Sequence, residues 1–150
     1  MLAVDLEALD LRDVVSELDP QRRLRVAFPS HSSTGSASTA TVYFELEPGM
    51  HVGRHTDSAE ELLLVVEGEA EATVGDERAS ARAGSMIVVP AMKPHNVVNV
   101  GTGVLRVLGF FSASTVVATF ETPPVPDGPQ VFVIGAPIPV QLPLADPVLV

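Results

Sequence analysis

The sequence predicts an all-β fold, an antiparallel barrel or sandwich with a short N-terminal helix and a Pro-rich C-terminal extension. Three observations carry this. The chain is rich in valine and poor in aromatics, which make up only 5% of it, a composition that suits pleated sheets. Short alternating or wholly apolar runs succeed one another from Thr41 to Phe120, with Gly, Pro and Asp between them. No helical periodicity separates those runs, which removes the strand–helix alternation of a parallel sheet.

The elements follow in order. Leu6, Leu9, Leu11, Val14, Val15 and Leu18 recur at spacings of three and four, which predicts an amphipathic helix over 5–18, stopped by Asp19-Pro20. Arg22 to Phe28 alternates like a strand and ends at Pro29; Ser30 to Ser38 is small and polar, a mobile loop. Thr41 to Glu47 places Val42, Phe44 and Leu46 on one side, and Pro48-Gly49 ends it. Glu61 to Val66 is an apolar strand closed by Gly68, and Ala70, Ala72 and Val74 then alternate with Glu69, Glu71 and Thr73 up to a hairpin turn at Gly75-Asp76. Strands at Met86–Val89, Val97–Val100, Val104–Phe111 and Thr115–Phe120 complete the set. The chain thus divides into residues 1–38 (helix, strand and loop), a barrel over 39–120 and an extension over 121–150. The extension holds eight of the 13 prolines, yet also Val131 to Ile134 and a Val148-Leu149-Val150 end. Proline lacks the amide hydrogen a central strand needs. The expectation is that Val131–Ile134 adds to a sheet edge and that the rest, with Val140, Leu142 and Leu144, covers a neighbouring subunit in a homodimer.

Composition bounds the function. At 150 residues one domain is expected. Nine Lys+Arg against 19 Asp+Glu give a net charge of -10, which repels phosphate and anionic lipid and so argues against nucleic-acid and membrane partners. No apolar run approaches the ~20 residues that span a bilayer. The first residues lack the basic stretch of a signal peptide, so a cytoplasmic location is expected. The absence of cysteine excludes disulfides, thiolate metal sites and thiol catalysis.

The chemistry gathers around histidine. Alternate residues of a strand share a face, so His55 and Asp57 point the same way, and Glu61 joins them if the intervening turn keeps phase. His95 comes from a distant strand. Imidazoles and carboxylates in such a set suit one divalent transition metal, Fe, Mn, Ni, Zn or Cu, without choosing among them. His51, four residues before His55, is a candidate extra ligand, set against its reading as an exposed loop histidine. His31 reads as surface, Glu67, Glu69 and Glu71 as the wet face of a strand, and Met50, Met86 and Met92 as core or pocket filler.

Two blocks resemble the paired motifs of the cupins. The first runs Gly49, five residues, His55, Thr56, Asp57, three residues, Glu61, six residues, Gly68; the second runs Gly84, five residues, Pro90, Ala91, Met92, two residues, His95, three residues, Asn99. Every spacing is kept; the pattern has His where Asp57 stands and Gly where Met92 stands. The resemblance implies a cupin-type jelly-roll β-barrel with a ligand site inside its mouth. It implies His55, Glu61 and His95 as metal ligands, with Asp57 at the position of a fourth, and makes the glycines, Pro90 and Asn99 framework. Met92 for Gly implies a turn that does without a positive φ. Two histidines and two carboxylates would leave an M²⁺ site neutral, a weaker Lewis acid than the cationic site of three histidines and one carboxylate. The function implied is that of a metal-dependent enzyme on a small organic substrate, of dioxygenase, isomerase, cyclase or lyase type. The alternative is a non-catalytic cupin that binds or senses a small ligand.

Overall fold

The computed structural model describes residues 1–135 and the strand Val148–Leu149. Thirteen strands occur among them: β1 (Arg12–Val15), β2 (Arg23–Ala27), β3 (Ala40–Leu46), β4 (His55–Asp57), β5 (Glu61–Glu67), β6 (Glu69–Val74), β7 (Glu77–Arg82), β8 (Met86–Val89), β9 (His95–Asn99), β10 (Leu105–Phe111), β11 (Val116–Phe120), β12 (Val131–Ile134) and β13 (Val148–Leu149). They form two sheets, ordered β1-β2-β3-β10-β5-β8 and β13-β12-β11-β4-β9-β6-β7. Every pairing is antiparallel except the parallel β12–β13 edge. The sheets face each other as a jelly roll, and alternation sorts the side chains. Val42, Phe44, Leu63, Val65, Val107 and Phe111 project inward from the first sheet, and Ala70, Ala72, Val97, Val116 and Ala118 from the second, all buried.

The N-terminal helix is only a 3-10 turn, Leu6–Ala8, capped by the Asp5 carboxylate on the Glu7 amide. Residues 12–15 instead make β1, where Val14 sits opposite Leu24. A lone helix of about 14 residues is marginal in water, whereas β-branched valines gain from pairing at a sheet edge. Two strands escape the sequence pattern. β4 is three residues long, too short for alternation to show, and is held between β11 and β9. β7 is nearly all polar and forms because the Gly75-Asp76 turn folds it back on β6.

Of the extension, Val131–Ile134 adds to the sheet beside β11 as expected, whereas Val148–Leu149, expected against a neighbouring subunit, pairs with Val131–Ile134 in the same chain and forms the edge. The expectation for Val140, Leu142, Leu144 and Val150 falls outside the described residues. Asn99 locks the turn after β9. Its amide donates to the carbonyls of Leu46 and Gly103 at 2.8 Å each, and its oxygen accepts from the Gly101 amide at 2.9 Å. Gly68 ends β5 at φ +91°, and a Cβ there would lie 2.8 Å from the Val104 carbonyl oxygen, so only glycine serves. Met92 corrects a sequence expectation: its φ is +62°. The turn keeps the left-handed geometry that glycine would take without strain, and fastens it by the Met92 amide donating to the Asp57 carbonyl at 2.8 Å. Met86 and Met92 are exposed rather than core filler.

The outer face of the first sheet is divided. At one end Tyr43 donates to Glu45 at 2.6 Å and accepts from Arg106 at 2.6 Å, while Arg106 reaches Glu7 at 2.6 Å and ties down the N-terminal segment. At the other, Leu62, Leu64, Met86, Val88, Leu108 and Phe110 register across β8, β5 and β10, with Met86, Val88 and Phe110 exposed.

Asn99→Ala strips three backbone groups of their partner and should lower stability by about 2–3 kcal/mol. Urea unfolding checks this, and a loss below half a kilocalorie per mole would mean that the turn holds itself.

Candidate metal centre

The site starts from the register of β4 on β9, which sets His55 directly opposite His95, ring centroids 4.2 Å apart. Asp57, two residues along β4, shares their face. Its Oδ2 lies 3.2 Å from His95 Nε2 and 3.5 Å from His55 Nε2. All three side chains are enclosed, at 12%, 4% and 2% exposure for His55, Asp57 and His95, and their donor atoms fall within 4.8 Å of one another.

Backbone carbonyls fix the imidazoles. His55 Nδ1 meets the Gly53 carbonyl at 2.7 Å and His95 Nδ1 meets the Lys93 carbonyl at 2.9 Å. A carbonyl only accepts, so both Nδ1 atoms carry hydrogen and, in the neutral rings, both Nε2 atoms hold lone pairs turned toward Asp57. Asp57 Oδ2 and His95 Nε2 are buried with no hydrogen-bond partner among the described residues. Two buried lone pairs 3.2 Å apart repel unless a cation or a proton lies between them. The donor set of two imidazoles and a carboxylate fits a transition-metal ion, and histidines committed through Nδ1 to backbone carbonyls are the usual support for such ligands.

Glu61 enters from the opposite wall. Equal parity suggested one shared face, but the chain crosses between sheets after Asp57, and Glu61 opens β5 in the first sheet. Its Oε1 is 3.9 Å from His95 Nε2, and the residue is 4% exposed. Burial, and then the charge of Asp57, push its carboxyl well above the ordinary range. Asp57 feels the same burial, but hydrogen bonds and charge from the two histidines, when these carry protons at Nε2, outweigh that and bring its carboxyl down to about 2. The two carboxyls are therefore pushed apart, Asp57 toward the anion and Glu61 toward the protonated acid. Gly109 on β10 gives Glu61 its room: a Cβ there would lie 3.1 Å from Glu61 Oε2 and 2.8 Å from Val42 Cγ1. In the sequence Gly109 reads as one more residue of an apolar strand.

The remaining histidines stand apart. His51 bridges to Val98, and its ring is taken by Asp19 at 2.7 Å and Asn96 at 3.2 Å, so the structure does not bring it into the cluster. His31 caps a short turn over Ser32–Thr34 and lines the rim of the cavity.

The cluster lies in a cavity of about 530 Å³ between the sheets, walled chiefly by Val26, Val42, Phe44, Val97, Phe111 and Ile134, within the size range of small-molecule sites. Arg22 also lines it and was not singled out by the sequence, where it is one of three arginines in a row of four residues. It donates from Nε to the Val52 carbonyl at 3.1 Å and from Nη1 to the Thr122 carbonyl at 2.6 Å. Gly53 makes space for it, since a Cβ at its φ of +100° would lie 2.5 Å from Arg22 Nε. The guanidinium sits 4.3 Å from the Phe120 ring centroid, and Phe120 in turn stacks on His55 at 4.6 Å.

An acid whose proton is favoured by folding costs stability as pH rises from 4.5 through its raised value. Metal-free Glu61→Gln should therefore melt higher than the metal-free wild type at pH 7.5 and equally at pH 4, while its affinity for a divalent metal falls at least about tenfold. Thermal melts at both pH values and a metal titration check this; a variant that is less stable at pH 7.5 contradicts it.

Residues 42–111 match the cupin domain family Cupin_2. A comparison with curated protein sequences finds no match. Among solved structures, a protein of Acidithiobacillus ferrooxidans provisionally described as a sugar phosphate isomerase superposes with a TM-score of 0.62 at 18% identity, covering 79% of this chain and 80% of that one. The cupin domain of Schizosaccharomyces pombe Cnp3 gives 0.62 at 16% identity, over 75% of this chain and 74% of that one. An oxalate decarboxylase from Lactobacillus farciminis, solved as its formate complex, gives 0.59 at 22% identity over 70% of this chain, which spans only 32% of the decarboxylase. At these identities the likeness is one of fold. With the strand order, the motif residues and the family match in agreement, residues 42–111 form a cupin domain.

Proposed function

We propose that the protein is a metal-dependent cupin enzyme acting on a small organic molecule, with one divalent transition metal held by His55, Asp57, Glu61 and His95. The observation that carries this is the facing pair of unpartnered buried atoms, Asp57 Oδ2 and His95 Nε2. A bound divalent cation would supply a Lewis acid for a substrate oxygen. The chain's own residues do the rest. The Gly53 and Lys93 carbonyls hold the two imidazoles in the ligating tautomer. Asp57 supplies fixed negative charge. Glu61 holds a proton at its carboxyl that it can release toward the cluster, and the aliphatic wall excludes water. Once Glu61 had given up that proton to ligate the cation, the two carboxylates would leave the site neutral, which favours chelation of an anionic substrate or oxygen chemistry over hydrolysis by a metal-bound hydroxide.

The apolar wall favours a second reading, a non-catalytic cupin that binds or senses a small ligand, with or without metal and with no turnover. A cytoplasmic location belongs to the proposal. No helix among the described residues is long and apolar enough to cross a membrane. So does a homodimer, supported by the apolar strip of Leu62, Leu64, Met86, Val88, Leu108 and Phe110. On a chain of charge -10 this neutral face is where a second copy can approach with least repulsion.

Two measurements test these statements. Elemental analysis should find about one transition metal per chain, lost in His95→Ala and retained in His51→Ala; equal retention in both would remove His95 from the ligand set. Light scattering should find a dimer that Phe110→Glu converts to monomer, and a monomeric wild type overturns the pairing.

A further inference from the structure

Arg22 is the one guanidinium buried among the described residues, at 6% exposure. Among the described residues no carboxylate pairs with it: Asp19, whose charge it feels, is held by the His51 ring at 2.7 Å. Asp57 is committed to the two histidines. Carbonyls occupy Nε and Nη1, while Nη2 bonds to nothing among the described residues and the group lines the cavity. A positive charge so enclosed is stable only with a negative partner. The surroundings also choose the partner. One net positive charge calls for one negative charge. A doubly charged phosphate would carry its surplus toward Asp57 and Glu61, and the aliphatic wall favours a ligand with an apolar body. A guanidinium's planar fork matches a carboxylate.

We propose that Arg22 anchors the carboxylate of a monoanionic organic acid with an apolar body. Its other end would extend past Phe120 toward His55 and Asp57. Phe120 links the two ends, since its ring touches both the guanidinium and the His55 imidazole. This deepens the reading of the cavity as the substrate chamber and names the substrate class; it does not depend on the metal.

The test is calorimetric titration of the wild type with butanoate, hexanoate and octanoate and their primary amides, in chelator-treated protein and again with one equivalent of Zn²⁺. At least one carboxylate should bind about tenfold tighter than its amide without metal. Arg22→Met should erase that preference while leaving the amide's affinity in place. Arg22 also holds two backbone carbonyls, so a variant that does not fold is covered by the wild type. There, nuclear Overhauser contacts should join the carboxylate's methylenes to the Phe120 ring. No carboxylate preference in chelator-treated protein, a preference surviving in Arg22→Met, or the absence of Phe120 contacts overturns the proposal. Failure of Zn²⁺ to bind overturns the metal centre alone and leaves the carboxylate result standing.

Discussion

Asp57 Oδ2 and His95 Nε2 face each other across 3.2 Å in a chamber of valine, isoleucine and phenylalanine. Such an arrangement is stable only with positive charge between the two atoms, and much of the barrel is arranged around it. The β4–β9 register places the imidazoles, two carbonyls fix which nitrogen bears hydrogen, and the Met92 amide clamps the Asp57 backbone. Gly109 leaves the space through which Glu61 arrives from the far wall. The low dielectric that would make a bound cation hold strongly also makes the unfilled cluster costly, so cluster and cation would form one thermodynamic unit.

The division of labour between the carboxylates follows from geometry. Both are buried almost equally, yet Asp57 lies against two imidazoles and Glu61 touches only one, at 3.9 Å. The same burial therefore leaves one carboxyl below the ordinary range and the other above it. Asp57 in place of histidine presents a charged oxygen where the motif has a neutral nitrogen donor, on a strand held by partners on both sides.

The barrel was legible in the sequence because its strands alternate over five to seven residues and its turns carry glycine and proline. The cluster of His55, Asp57 and His95 was legible because the motif spacings place these residues. What stayed hidden has physical reasons. The N-terminal leucines fit a helical period, but pairing with β2 outweighs a marginal local helix. Glu61 shares parity with His55 and Asp57 but crosses to the other sheet, which no parity count can register. Met92 adopts a positive φ because the turn around it demands one, and the identity of a non-glycine residue does not announce that. Arg22 reads as one of several strand arginines, and only tertiary packing buries it between Gly53 and Phe120.

Arg22 lies just ahead of β2, outside residues 42–111, whereas every member of the donor cluster lies within them. Catalytic potential and ligand choice are therefore written on separate stretches of chain. The β1–β2 hairpin joins the sheet only through β3, so drift in its sequence can change what enters the chamber without disturbing the atoms that would hold a metal. A lineage built this way can keep one donor cluster and explore many ligands.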